Sequence, residues 1–237
     1  MASLKWKIGA ILLTLFLLPW AVPESFRQTS QAAPQQKPKR VLTNDDYPFN
    51  RPSPSAPSPG NDPATSSNPR VGEKLAPFVP TPMEVVDKML ELARVGPDDV
   101  VYDMGSGDGR IPIRAAQKYG AKGVGVELDE RLAKDSQAQV RELKLEDKVT
   151  IIQGDMLQAD IKPATVVAVY LLVSANNKLR PMLEKDLKPG SRVVAHDMRI
   201  PGWETDREEA VPMGSGTHFV YLYRVPEAFK RSSVPGP

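Results

Sequence analysis

The 237-residue chain has no cysteine and only two histidines, His196 and His218. The first absence rules out disulfide bonds and thiolate chemistry, leaving the redox compartment undecided. With both histidines scattered in sequence, no protein metal site is expected. Charge of one sign is also lacking: 31 Lys and Arg oppose 29 Asp and Glu, a net +2. That is no electrostatic footprint for nucleic acid. There is no internal repeat, and one long uncharged apolar run, Ile8–Val22 (IGAILLTLFLLPWAV).

That run exceeds most signal-peptide cores and falls short of a full membrane span. It crosses a bilayer only when counted from Leu4, with Lys5 and Lys7 snorkelling. The flanking charges do not set its orientation, since Lys5, Lys7 and the amino terminus oppose Arg27, Lys37, Lys39 and Arg40. Residues 23–72 then hold ten of the chain's 24 prolines, with many Ser, Gln and Asn. Such a composition builds no core and reads as an extended tether. The expected organisation is therefore an anchor or signal segment at 1–22, a Pro-rich linker at 23–72, one domain at 73–229 and a tail at 230–237.

The domain's most informative stretch is Val100–Arg110 (VVYDMGSGDGR). It reads as a strand, a tight glycine turn and a helix start, with Asp103 two residues before Gly105-Ser106-Gly107-Asp108-Gly109. Glycine admits positive φ and close backbone approach, and a helix N-terminus offers free N–H groups to a polar or anionic group. A dinucleotide fingerprint G-x-G-x-x-G would need a third glycine where Arg110 stands. A helix over Ile111–Tyr119 ends at Gly120. Gly123–Val126 is a second strand running out on Glu127, placed as the carboxylate that meets ribose hydroxyls in a βαβ nucleoside site. The glycines at 123 and 125 leave room there for an adenosine, and Asp129 fits as the cap of the next helix, expected over Asp129–Leu145. Val149–Ile152 is strand three, followed by Gly154-Asp155-Met156.

Further on, Thr165–Leu172 is an apolar run suited to a central strand covered on both faces. A helix follows over Ala175–Leu187, then strand five at Ser191–Asp197. Glu209–Met213 and Thr217–Val225 form a closing hairpin. Ahead of the glycine turn, Thr81-x-x-Glu84 is a capping box with Pro82 at the first helical position. The pattern implies an α/β fold with a mixed, mostly parallel sheet, an antiparallel closing strand and helices on both faces.

The acid and G-x-G-x-G turn resemble motif I of the class I S-adenosylmethionine-dependent methyltransferases. The resemblance implies a Rossmann-like seven-stranded sheet, S-adenosyl-L-methionine as cofactor, and Asp155 near the adenine amino group with Met156 against the ring. The cofactor-binding set is then Thr81, Asp103, Gly105, Ser106, Gly107, Glu127, Asp155 and Met156. Thr81-Pro with its helix, DMGSGDGRIPI, GVGVELD, the YLL…KLRPMLEKDLKPGSRVVAHD stretch and Pro201-Gly-Trp203 resemble one branch in particular. It contains the membrane-associated protein-lysine methyltransferases of ATP synthase and the adenine nucleotide carrier, with bacterial relatives.

The implied function is methyl transfer to a protein lysine. A small-molecule or lipid methyltransferase, or a non-catalytic nucleoside-binding module, are the alternatives. Tyr170-Leu-Leu-Val-Ser stands where base amino-methyltransferases of this class carry Asn/Asp-Pro-Pro-Tyr/Phe, which argues against amino methylation of a nucleic-acid base; no nucleic-acid partner is expected. Acceptor-side candidates lie at the ends of strands four and five: Tyr170, His196 and Asp197 as catalytic groups, with Ser174 and Asn176 nearby. His218 and Trp203 are expected to be structural. Since S-adenosylmethionine is kept in the cytosol, the expected arrangement is an uncleaved anchor with a cytoplasmic domain and a protein acceptor that can itself reside in the membrane. An exported protein with a cleaved signal is the rival arrangement. Neither the acceptor nor the oligomeric state follows from the sequence.

Overall fold

The structure, a computed structural model, describes Leu75, residues 78–214 and residues 216–231. The segment expected at 1–22 and the whole linker expected at 23–72 lie outside them. Among the described residues no helix is long and apolar enough to cross a membrane.

Seven strands form one sheet in the order β3-β2-β1-β4-β5-β7-β6. They are β1 (Val100–Met104), β2 (Lys122–Glu127), β3 (Val149–Gln153), β4 (Val166–Val169), β5 (Arg192–His196), β6 (Arg207–Met213) and β7 (Gly216–Arg224). The first five are parallel, while β7 pairs antiparallel with both β5 and β6. The helices are α1 (Met83–Leu92), α2 (Arg110–Tyr119), α3 (Glu130–Glu142) and α4 (Val173–Asp186).

Alternation along each strand divides the core into two layers. Val101, Val166, Ala168, Val194, Val220 and Leu222 face one side, where α1, α2 and α3 deliver Val86, Met89, Ile113 and Ala133. Tyr102, Met104, Val167, Val169, Val193, Ala195 and Tyr223 face the other, against Leu179 and Leu183 of α4 and against Trp203. Strands buried on both faces read as continuous apolar runs, which is why β4 stood out in the sequence.

Three expectations change. The run Thr165–Leu172 is a strand only over Val166–Val169: Leu172 and Val173 are exposed, and α4 begins at Val173, two residues early. The first helical position moves from Pro82 to Met83. Pro82 is the N-cap of α1 and its carbonyl accepts from the N–H groups of Val85 and Val86, while Thr81 turns its hydroxyl elsewhere. A short 3-10 turn, Glu227–Arg231, carries the fold two residues into the expected tail.

Asp129 does cap α3, accepting from the N–H groups of Arg131 and Leu132 at 2.9 and 3.0 Å. Asp129→Ala should cost about 1 kcal/mol. The loss reads in thermal unfolding as a fall of about 2–4 °C for a domain of this size.

Candidate active site

The sheet order places a topological switch point between β1 and β4, whose chain connections leave in opposite directions. Ligands of open α/β sheets bind in the crevice outside the carboxyl ends of such strands. Here those ends are Gly105 after β1 and Tyr170 after β4.

On the β1 side the chain makes three positive-φ turns, at Gly105 (84°), Gly107 (55°) and Gly109 (75°). Backbone and side chains hold this turn from beneath. Val126 O accepts from Gly105 and Ser106 N–H at 2.9 and 3.0 Å. Gly107 donates to Glu127 Oε2 at 2.7 Å and accepts from Ser136 Oγ at 2.9 Å. Glu127 Oε1 takes the Asp129 N–H at 2.9 Å. The carboxylate read from the sequence as a ribose partner is thus buried at the end of β2 and locked to the turn. A carboxylate has about four acceptor sites, so two backbone bonds leave acceptor capacity for a diol.

Asp103 is wholly buried beneath the turn, and burial followed by the nearby charges of Asp108 and Glu127 pushes its proton affinity well above the usual carboxylate range. Ser106 Oγ is buried with no hydrogen-bond partner. A buried acid whose ionised form a cation would favour, and an orphaned hydroxyl on the glycine-rich turn, suit a ligand that is both cationic and polar. S-adenosylmethionine, with its ammonium and sulfonium groups, has that chemistry, and the residues present fit it. Asp155 Oδ1 accepts the Leu157 N–H at 2.9 Å at the exit of β3, and Met156 is buried in the core cluster that also holds Met104 and Val126. Both stand at the same carboxyl edge.

The expectation that Gly123 and Gly125 leave room for adenosine is wrong. A Cβ on Gly123 would lie 2.5 Å from Pro112 O, and one on Gly125 2.6 Å from Ser106 Oγ. These glycines let α2 and the glycine turn pack onto β2, so that space is already filled.

On the β4–β5 side, Thr81, Tyr170, His196 and Asp197 come together. The His196 ring is completely buried. Its Nδ1 is 3.2 Å from Thr81 Oγ1, and the Tyr170 ring lies over it with centroids 3.9 Å apart. Burial lowers its pKa to about 4 despite the pull of Asp197, so the imidazole is neutral. Burial, followed by the charge of Asp197, raises the Tyr170 hydroxyl above its ordinary value. For Asp197 burial works upward, but the Phe219 N–H and the His218 ring hold the carboxyl below its usual value. Asn176 is buried, directing its amide towards the carbonyls of Leu171, Met198 and Arg199 at 3.4–3.5 Å. Ser174 is exposed on α4. Trp203 packs on Tyr223 and Phe229, donating to Glu184.

Sequence reasoning missed two participants. The Phe78 ring covers the glycine turn so closely that a Cβ on Gly107 would lie 2.3 Å from it. No pattern in Phe78-Val-Pro announces this. His218 was read as structural, yet its Nδ1 is 3.0 Å from His196 Nε2 and 2.9 Å from Asp197 Oδ2. Antiparallel pairing of β7 against β5 would have revealed it, since β7 then enters where β5 ends.

This sheet, its antiparallel closing pair and the glycine turn on a buried acid define a class I S-adenosylmethionine-dependent methyltransferase. The model of the ANTKMT methyltransferase domain matches residues 103–207. A protein-lysine N-methyltransferase of Saccharolobus islandicus is 44% identical over 64% of this chain and 94% of its own length. The mouse adenine nucleotide translocase lysine N-methyltransferase is 29% identical over 63% of each chain, so this protein spans under two thirds of that relative. The crystal structure of an RNA methyltransferase from Salinibacter ruber, in complex with S-adenosyl-L-homocysteine, is 48% identical over 67% of this chain and 98% of that one, with a TM-score of 0.59. The chain belongs to the S-adenosylmethionine-dependent methyltransferase family that carries the ANTKMT methyltransferase domain, and S-adenosylmethionine is its cofactor.

Proposed function

We propose that the methyl acceptor is the ε-amino group of a protein lysine, and that the domain works on the cytoplasmic side of a membrane to which Ile8–Val22 tethers it. The observation that carries the protein acceptor is the rim of the crevice. Of the six large hydrophobic side chains exposed among the described residues, five (Val79, Leu172, Val173, Met198 and Phe219) follow the carboxyl ends of β4 and β5 or flank them. An apolar rim buries the residues around an acceptor side chain, whereas a nucleic-acid groove calls for a basic track along the backbone. The names of the archaeal and mouse relatives support the same reading.

When bound, S-adenosylmethionine supplies an electrophilic methyl on its sulfonium. The chain's task is alignment and exclusion of water. Glu127 and the glycine turn fix the nucleoside end, Asp103 balances positive charge at the methionine end, and Phe78 closes over the turn. Tyr170, half-buried at the end of β4, lines the acceptor's approach. Thr81 and His196 sit behind it and set its ring.

The likeness to the RNA methyltransferase of Salinibacter ruber favours RNA as a second reading, and one experiment separates the two. The full chain is incubated with methyl-labelled cofactor and cell extract divided into membrane and soluble fractions. Label should survive ribonuclease, be lost to protease and appear as methyl-lysine by mass spectrometry. Label sensitive to ribonuclease would overturn the lysine reading. Deleting residues 1–72 should leave a folded, cofactor-binding domain. Its rate on a membrane-resident acceptor should fall about tenfold or more, because a tether supplies effective concentration. A mature protein beginning near Ala33 in an exported fraction would refute the anchor.

A further inference from the structure

The chain's only two histidines, 22 residues apart, meet at one point together with Asp197. His196 Nε2, His218 Nδ1 and Asp197 Oδ2 form a triangle with edges of 3.0, 2.9 and 3.3 Å. Hydrogen bonding can satisfy at most two of the three edges at once. A single ring proton can serve one edge, or be shared between two. Two ring protons can both point at the carboxylate, which leaves the two nitrogens 3.0 Å apart with no bond between them. Three lone pairs around a cation have no such conflict. Ligands about 2.1 Å from an ion stand about 3.0 Å apart at octahedral angles and about 3.4 Å apart at tetrahedral ones, a range that takes in the edges of 3.0 and 3.3 Å and lies close to the one of 2.9 Å. Two imidazoles and one carboxylate on a single face leave the opposite coordination positions open.

The groups behind the triangle are those a metal site uses. A ligating imidazole is normally held through its other nitrogen, and a ligating carboxylate through its other oxygen. His196 Nδ1 is held by Thr81 Oγ1 at 3.2 Å, and Asp197 Oδ1 accepts the Phe219 N–H at 2.8 Å. Asp197 reaches its position with φ at +54°, in the left-handed region that aspartate enters more readily than most non-glycine residues. His196 forms the buried base of the triangle, while Asp197 and His218 remain partly exposed, with side-chain exposures of 23% and 31%, so the site has an entry path.

We propose that His196, Asp197 and His218 bind one divalent first-row transition cation beside the acceptor's approach to the crevice. Its open positions hold water or a donor atom of the incoming acceptor. The site does not depend on which acceptor is methylated, since binding of the cation is read directly.

The test is titration of the full chain, stripped with chelator, with Zn²⁺ by calorimetry and with Co²⁺ by visible d–d absorption. One equivalent per chain is expected, together with a Co²⁺ spectrum of mixed nitrogen and oxygen ligation. His218→Asn and Asp197→Asn should each weaken Zn²⁺ binding about a hundredfold. Thr81→Val, which removes only a support, should weaken it by about 10–100-fold. His196→Asn is a poor choice because its ring is wholly buried, whereas the half-exposed His218 can be replaced without opening the core. S-adenosylmethionine binding by the His218→Asn variant reports that it is folded. Absence of stoichiometric binding would overturn the site. So would Zn²⁺ binding unchanged in a folded His218→Asn protein, because the chain has no cysteine and one remaining histidine to offer in its place.

Discussion

Gly107→Val should abolish binding of S-adenosylmethionine, and Glu127→Ala should weaken it about tenfold or more. The two act on opposite ends of one hydrogen bond. At Gly107 the chain sits at φ +55°, and a side chain there would strike the Phe78 ring at 2.3 Å. Valine is strained in that backbone region and must displace either the ring or the turn. Glu127 accepts from Gly107 and Asp129 N–H and keeps lone pairs for a ligand diol. Losing one charge-assisted bond of about 1.5–3 kcal/mol corresponds to roughly a tenfold to hundredfold loss of affinity. Removing the carboxylate also frees the turn, so the upper end of that range is expected. Glu127→Gln retains one acceptor oxygen and should fall between the wild type and the alanine variant. Calorimetry giving wild-type affinity for both Gly107→Val and Glu127→Ala would remove the glycine turn as the cofactor site.

The strand–turn–helix order of this site was legible in the sequence because each piece has a local signature. Glycine at positive φ, an acid at a strand end, a β-branched run and an Asp cap are chemical requirements confined to a few neighbouring residues. Strand four was read too long for a related reason. Apolar residues mark burial in a strand as well as exposure on a functional rim, and Leu172 and Val173 belong to the second kind. Thr81 was read only in part because the capping-box pattern is local, while the partner it takes, His196, lies 115 residues away. Gly123 and Gly125 were assigned to the wrong neighbour: their missing side chains admit a helix and a turn of the same protein.

The largest gap was the acceptor side. His218 lies on β7, and what it meets is settled by the register of the β5–β7 pair, His196 opposite Val220. Nothing within a few residues of His218 encodes that register. An antiparallel strand pairing with β5 brings its first residues to the carboxyl end of the parallel strands, so the closing hairpin is a supplier of site residues as well as an edge. The two histidines that looked scattered in sequence are neighbours for that topological reason.

Asp108→Ala should produce the largest loss of stability of any single change at the site. Asp108 and Arg110 are 1% and 3% exposed, and their side chains are paired: Nε donates to Oδ1 at 2.9 Å and Nη2 to Oδ2 at 2.5 Å. Arg110 Nη1 donates to Thr81 O at 2.7 Å, so this guanidinium ties the glycine turn to the segment leading into α1. Deleting the carboxylate removes the charge that Asp108 sets against a buried guanidinium, and breaking a buried pair in this way costs about 3–5 kcal/mol. In a domain of this size that corresponds to a fall in Tm of about 6–20 °C. Asp108→Asn, which keeps an acceptor and the shape, should lose less. The informative variant is the double one. If the cost is an uncompensated charge, Asp108→Ala combined with Arg110→Met should recover much of the stability, since an apolar side chain can replace a buried ion pair. It should not recover cofactor affinity, because the tie to Thr81 is gone and Phe78 is no longer held over the turn from its C-terminal side. A double variant as unstable as Asp108→Ala would show that the pair acts through its shape and its bond to Thr81, and not through its charges.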